Sequence, residues 1–392
     1  MSEDAVIVAA TRTPIGRFGG AFSDLPATAL GAIAIRAVIE RSGVDPAAID
    51  DVLIGQVLQA GAGQNPARQS AVGGGIPHAV PAMTINQVCG GGQRTLHLAA
   101  QAIRLGDADI VLAGGQDSMT RAPHLLPQSR AGFKMGEVTM QDAMLVDGLV
   151  DAFNNVHMGV TAERLARKYQ ITRDEQDQFA LGSQQKAAAA MAAGRFTEEV
   201  VPVEVRRKRD SIVVEHDEHP RADTTPEQLA ALRPIFDPEG SVTAGNSSGL
   251  NDGAAALLVM SARRARQLGL EPLARIASYA SAGVDPMEMG LGPVPATRAA
   301  LDKAGWTAAE LDLIELNEAF AAQSLAVNRE LSLDPERINV NGGAIALGHP
   351  LGGSGARLVV TLLHEMARRN AHKGLATMCI GGGQGVAICL ER

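Results

Sequence analysis

Cys89 opens Cys-Gly-Gly-Gly-Gln-Arg, Cys379 opens Cys-Ile-Gly-Gly-Gly, and His349 stands in Gly-His-Pro-Leu-Gly-Gly-Ser-Gly-Ala-Arg. The chain has only 3 cysteines, so two thiols beside glycine clusters read as reagents rather than packing. Two thiols and one imidazole suit acyl transfer, in which a thiolate attacks an acyl carbonyl and a neutral imidazole accepts the thiol proton. Cys89 lies between a predicted strand, Met83 to Val88, and a helix whose first turn is rich in glycine. Unpaired N–H groups and the macrodipole there favour the thiolate and are expected to lower its pKa. His349 falls at a second predicted helix N-terminus, where its N–H can later point at a developing oxyanion. Gly348, Gly352, Gly353 and Gly355 around it are expected to let a substrate approach the backbone.

Cys379 ends a predicted strand, and Gly381-Gly382-Gly383 after it can form an anion-binding nest of N–H groups. Its thiol has three readings: disulfide partner of Cys89, proton shuttle, or metal ligand. The last is the weakest, because no Cys-x-x-Cys or close His pair exists, and no metal is expected. Leu316-Asn317-Glu318-Ala319-Phe320 joins strand to helix and puts Asn317 at an N-cap, where its amide either caps the helix or holds a water toward a substrate carbonyl. The polar turn from Asn246 to Gly253 is ambiguous on residue types alone. Singly, each of these residues is more often structural, since Cys is commonly a small buried residue.

The elements that must position these groups alternate. Ala5 to Ala10 reads as a buried strand, Thr28 to Ser42 as a helix closed by Gly43, and Val52 to Val57 as a strand. A helical stretch after Asn65-Pro66, a helix from Gly91 to Leu105 closed by Gly106, and a strand from Asp109 to Ala113 continue the rhythm. The last third repeats it: strand Leu311 to Glu315, helix Glu318 to Leu331, strand Ile338 to Val340, a helix running to about Asn370, and strand Leu375 to Ile380. The pattern predicts a mainly parallel sheet with helices on both faces, built as two duplicated α/β halves. Residues 119–249 lose the rhythm, apart from a long helix opened by the capping box Thr172-x-x-Glu175 and ended at Gly194. They read as a loop-rich insertion over the ends of the sheets, where α/β folds place ligand sites.

A chain of 392 residues with 46% hydrophobic content predicts more than one domain. Aromatics are only 3%, so the core must be built from Ala, Val, Leu and Ile. A net charge of −8 argues against a broad surface for nucleic acid or anionic membrane. The one dense cationic run, Arg206 to Arg209, reads as a solvated hairpin. No apolar stretch reaches the ~20 residues of a membrane span, and the few cysteines with no leader-like run predict the reducing cytosol.

Taken together, Asn86-Gln87-Val88-Cys89-Gly90, the turn Gly245 to Gly253, Asn317-Glu318-Ala319-Phe320, Gly348-His349-Pro350 and Cys379-Ile380-Gly381-Gly382-Gly383 resemble the thiolase family in order and across essentially the whole chain. His157-Met158-Gly159 and Val284-Asp285-Pro286 with Met289 look like its short-chain biosynthetic acetoacetyl-CoA branch. The resemblance implies a five-layered αβαβα fold: an N-terminal half of residues 1–118 plus 250–270, a loop domain of 119–249 over the coenzyme A site, and a C-terminal half of 271–392. It implies a ping-pong Claisen condensation of two acetyl-CoA. Cys89, deprotonated by His349, carries the acetyl group, and Cys379 takes the α-proton of the second substrate. The N–H groups of Cys89 and Gly381, His349, and a water held by Asn317 stabilise the oxyanions. No permanently bound cofactor is implied, coenzyme A thioesters being substrates, and the assembly implied is a homotetramer, a dimer of dimers.

By the same resemblance, Leu149, His157, Met158, Arg221 and Phe236 contact the pantetheine or nucleotide, as do Ala244, Ser248, Ala319 and Phe320. Met158 and Met289 narrow the acyl pocket. The chain departs from the family at Gly91, Gln93 and Gln384, where Ser, Leu and Met are common, and at Gln228, which replaces a frequent Ser; Gln93 and Gln384 leave the chain-length preference open. The alternative activity is a degradative 3-ketoacyl-CoA thiolase of broader chain length, and a non-catalytic acyl-CoA-binding protein is a third reading.

Overall fold

A computed structural model describes residues 3–206 and 210–392. Its main sheet has ten strands. In chain order the long ones are β1 (Ala5–Arg12), β2 (Asp51–Gly55), β3 (Ala82–Ile85), β4 (Ile110–Ser118), β5 (Asn251–Ser261), β6 (Ala274–Gly283), β7 (Leu313–Leu316), β8 (Lys373–Ile380) and β9 (Gln384–Glu391). They lie in the order β7-β8-β9-β6-β1-β5-β4-β2-β3, with Gly16–Arg17 pairing beside β5. Only β2 with β3, β2 with β4, and β7 with β8 are parallel. The sheet is therefore mixed rather than mainly parallel. The expectation failed because β5 and β9 return between helix-linked strands, and local periodicity carries no strand direction.

The order is symmetric about the short junction of β1 with β6, Val6↔Arg275 and Ile7↔Ala274. β5 corresponds to β9, β4 to β8 and β2 to β7; the counterpart of β3 shrinks to a single bridge between Ile338 and Ile314, so the strand expected over 338–340 is not formed. Two equivalent helices, α3 (Gly91–Leu105) and α8 (Leu351–Arg369), fill the space between the halves. One core joins Leu96, Ala99 and Ile103 of α3, Leu358, Val359 and Leu362 of α8, and inward residues of both halves such as Leu53 and Met378. On the outer faces, α1 (Ala27–Ser42) covers Val52 and Ile54, and α6 (Pro293–Ala304) covers Ile314 and Leu375. Alternating residues of β2 thus enter different cores, because both faces of the sheet are covered. The outcome is five layers, α/β/α/β/α.

Glycine makes the central layer possible. A Cβ on Gly92 of α3 would fall 2.6 Å from the Gly352 carbonyl oxygen, and one on Gly355 of α8 would fall 2.5 Å from the Gln93 nitrogen. Gly355, expected to admit a substrate, instead admits a neighbouring helix.

Between β4 and β5 the chain leaves the sheet and forms α4 (Met158–Lys168), α5 (Arg173–Ala192) and a small hairpin of Val203–Arg206 with Ser211–Val214. The Thr172–Glu175 capping box is present at the start of α5. Arg206 ends a hairpin strand on the surface as expected, while residues 207–209 of the basic run lie outside the described residues. The insertion is fastened by a buried ion cluster: Arg12 of β1 donates to Glu199 at 2.6 Å and to Asp217 at 2.7 Å. No helix among the described residues is long and apolar enough to cross a membrane.

Candidate active site

Cys89 follows a turn rather than a strand end. β3 stops at Ile85, and Val88 takes a left-handed φ of 44°, uncommon for a β-branched residue, with its N–H donated to Asn86 Oδ1 at 2.9 Å. Gly90 then caps α3, so Cys89 does stand at a helix N-terminus. Its thiol is nevertheless pushed up to about 11, chiefly by burial, against the N–H groups of Gly381 and of Cys89 itself, which favour the thiolate. The expectation of a lowered pKa is overturned because desolvation outweighs the helix terminus. Cys89 rests as a thiol and needs a base.

His349 offers a nitrogen in the same pocket. Gly348 at φ 106° makes the bend, and the backbone N–H of His349 is held by Asn251 Oδ1 at 2.9 Å. Burial lowers the imidazole to about 3, keeping it neutral. The Ser354 hydroxyl donates to the Pro350 carbonyl at 3.0 Å, so its oxygen accepts from His349 Nδ1–H at 2.5 Å. That tautomer leaves Nε2 as the unprotonated nitrogen.

Cys379 is the last residue but one of β8 and is buried. Its thiol is raised strongly by desolvation first and by the adjacent Cys89 second. All three described cysteines are free thiols, so the disulfide reading of Cys89 with Cys379 is not realised. No cluster of three or more potential metal ligands occurs among the described residues. The hairpin Gly381-Gly382-Gly383 turns between β8 and β9, with Gly382 and Gly383 at φ 81° and 83°.

One pocket of about 430 Å³ brings these groups together. Cys89, His349, Cys379 and Gly381 line it, and so do Leu149, His157, Met158, Arg221, Phe236, Ala244, Ser248, Met289, Ala319 and Phe320. Of the catalytic and binding residues expected from the sequence, Asn317 alone is off the wall. It is also no N-cap, because the helix it was assigned to, α7 (Ala321–Leu331), starts later, after Phe320. Asn317 lies fully buried with both amide atoms lacking a protein partner. Gln93 and Gln384 do not line the pocket either: Gln93 is buried, donating to the Ala376 carbonyl at 2.9 Å, and Gln384 accepts from Gln87. Neither can set chain length by contact with an acyl group.

His157 caps α4 by accepting the Gly159 N–H at 3.1 Å and stacks on Phe236 at 4.6 Å between ring centroids. Met158, Met289, Phe320 and Cys379 form one apolar wall, while Met119, Met144 and Leu351 pack on the Cys89 side. Sequence reasoning missed, among others, Met119, Met144, His219 and Leu351 on the wall and, in its support, Ser354, Asn251 and Asp117. Asp117 binds the N–H groups of Gly352 at 2.7 Å and of Val57 and Leu58 at 3.1 Å, linking the α8 N-terminus to the loop after β2. Burial raises its carboxyl to about 6 against those donors. The Asn251-Asp252 and Gly114-Gly115-Gln116-Asp117 strings were the available signals, but a polar residue at a strand end does not reveal its partner.

Residues 5–263 match the family Thiolase, N-terminal domain, and residues 270–392 match Thiolase, C-terminal domain. The chain belongs to the thiolase family. This thiolase is 62% identical to an acetyl-CoA acetyltransferase of Pseudomonas aeruginosa, over 100% of both chains. It is 58% identical to an acetyl-CoA acetyltransferase of Cupriavidus necator, over 99% of each. The crystal structure of the Bacillus anthracis acetyl-CoA acetyltransferase superimposes on the thiolase with a TM-score of 0.98 at 45% identity, covering 100% of this chain and 99% of that one.

Proposed function

We propose that this thiolase is an acetyl-CoA C-acetyltransferase that condenses two acetyl-CoA to acetoacetyl-CoA and coenzyme A, reversibly. The observation that carries the mechanism is the convergence of two thiols, one neutral imidazole and the Gly381 N–H in a single pocket. Relatives named acetyl-CoA acetyltransferase along the whole chain support the same activity.

The Cys89 proton passes to His349 Nε2 and the sulfur attacks the acetyl carbonyl carbon. The N–H groups of Cys89 and Gly381 receive the oxyanion. As the carbon–sulfur bond to coenzyme A breaks, the departing sulfur takes the Cys379 proton. Acylation has by then turned Cys89 into a neutral thioester that cannot ionise, so the Cys379 thiolate forms with no like charge beside it. The Cys379 thiolate takes the α-proton of the second acetyl-CoA, and the carbanion attacks the acetyl-enzyme. Cys89 leaves and recovers its proton from His349. A water on the unpartnered Asn317 amide, with His349, stabilises the enolate oxygen; buried amides without protein partners call for such a water. This sequence needs no resident cofactor.

Coenzyme A enters past Arg221 and His219, and Arg221 supplies positive charge to a nucleotide phosphate. Met158 and Met289 shorten the acyl end, which favours the short-chain reading over degradation of longer 3-ketoacyl-CoA. Phe133, Met135, Val138 and Met140 leave apolar side chains in solvent along the insertion; such a segment suits subunit contact, here in a homotetramer, in the cytoplasm. We take 1–118 plus 250–270, 119–249 and 271–392 as the structural units. The test is the Cys379→Ala variant incubated with acetyl-CoA: Cys89 is expected to gain an acetyl mass without acetoacetyl-CoA being formed, and full condensation by this variant would remove Cys379 from the mechanism.

A further inference from the structure

Gln87 and Gln384 meet across the two halves, with Gln87 Nε2 donating to Gln384 Oε1 at 3.0 Å. Each sits on a turn that carries a reacting group, and neither lines the acyl pocket. Gln87 begins the nucleophile turn: its carbonyl accepts the Gly90 N–H at 3.1 Å, and it bridges to Cys89 around the left-handed Val88. Gln384 pairs with Ile380 and closes the three-glycine hairpin, whose Gly381 lines the same pocket as Cys89. The two turns also touch directly, since a Cβ on Gly90 would fall 2.3 Å from Ile380 Cδ1.

Both turns depend on outside support for their shape. One holds a β-branched residue in the left-handed region, and the other is three glycines with two at positive φ. The turns belong to different halves, and beside the packing of Gly90 on Ile380 the Gln87–Gln384 bond is a polar tie between them. We propose that the Gln87–Gln384 hydrogen bond is a positioning device that holds the nucleophile turn in register with the glycine hairpin, and through it the reach of the Gly381 N–H to the Cys89 sulfur. The proposal rests on Cys89 being the acyl acceptor. Loss of the bond lets the hairpin drift from the sulfur, so the thiolate loses a donor and the oxyanion loses part of its hole. Substrate binding is untouched.

The test uses the full-length Gln384→Met variant, which keeps side-chain length and removes the acceptor. Alkylation of Cys89 by iodoacetamide, located by peptide mass, is followed against pH beside thiolysis of acetoacetyl-CoA. The expected result is an alkylation profile moved to higher pH and a kcat lowered roughly three- to tenfold with KM unchanged, the loss of one net hydrogen bond. Gln87→Met is expected to match it, and the double variant to be no worse than either single one. An unmoved profile and kcat, a rise in KM alone, or additive losses in the double variant overturns the proposal. If Gln384→Met fails to fold, Gln87→Met carries the same comparison from the other turn. Failure of iodoacetamide to select Cys89 in the unmodified enzyme would instead sink the acyl-transfer reading itself.

Discussion

The reactive imidazole owes its tautomer to one hydroxyl. Ser354 accepts from His349 Nδ1 because its own proton is committed to the Pro350 carbonyl. Ser354→Ala is expected to lower kcat by about tenfold with KM unchanged, the scale of one hydrogen bond acting on an orientation. Ser354→Thr, which keeps the hydroxyl, should restore most of it; equal losses in both would make the effect one of packing. A second imidazole shows the opposite case. His97 on α3 is fully buried, stacks on Tyr279 at 4.8 Å, has no partner for either ring nitrogen, and is lowered to about 3 by burial. In the unfolded chain it titrates near 6.5, so as pH falls below that value the unfolded state gains a proton that the native state refuses, and stability is lost. His97→Phe should therefore stabilise by about 1–3 kcal/mol at pH 7, and by roughly 2 kcal/mol more at pH 5. Urea denaturation at the two pH values checks both, and a gain independent of pH would mean that His97 titrates in the native state as it does in the unfolded chain.

At the scale of elements, the apolar wall of the pocket beside Cys379 is built by neighbours from different parts of the chain. Met158 begins α4 and Met289 lies in the 3-10 turn Pro286–Leu291 before α6, and the two pack with Phe320 and Cys379. Met289→Ala opens volume at this wall without touching Cys89 or His349. It is expected to raise kcat/KM for thiolysis of 3-ketohexanoyl-CoA relative to acetoacetyl-CoA by roughly tenfold, the worth of a methylene or two in an apolar pocket. An unchanged ratio would place the limit elsewhere, on the Met119 and Met144 side. The helices and their ends were legible in the sequence where local signals exist: Gly43 and Gly106 end α1 and α3 in left-handed caps, and Thr172 starts α5. The start of the helix after Asn317 was misplaced, because Asn317 and Phe320 compete as cap by backbone geometry that composition does not encode.

Across the whole molecule, the insertion is locked to the sheets by charge inside the protein. Arg12 is wholly buried between Glu199 and Asp217, and its ring neighbour Phe196 lies 5.2 Å from the guanidinium carbon. The cluster is weak evidence for net stability, yet removing its cation leaves two carboxylates unpaired in a low-dielectric site. Arg12→Met is expected to cost about 3–5 kcal/mol. The urea midpoint measures this, and a loss below about 1 kcal/mol would show that water reaches the site.

The sequence by itself determined the chemical groups, the glycine turns that carry them and the duplicated α/β rhythm, while the resemblance to the family supplied the other pocket-lining residues. These are readable because turns, caps and nucleophiles depend on residue types a few positions apart. Tertiary structure alone decided the strand directions, the crossing of α3 and α8 through glycines, and the raised Cys89 thiol. It also decided the roles of Ser354, Asn251, Asp117 and the Gln87–Gln384 pair. Each of these depends on groups far apart in the chain, and on burial, which sets both pKa and packing only after the two halves have closed on each other.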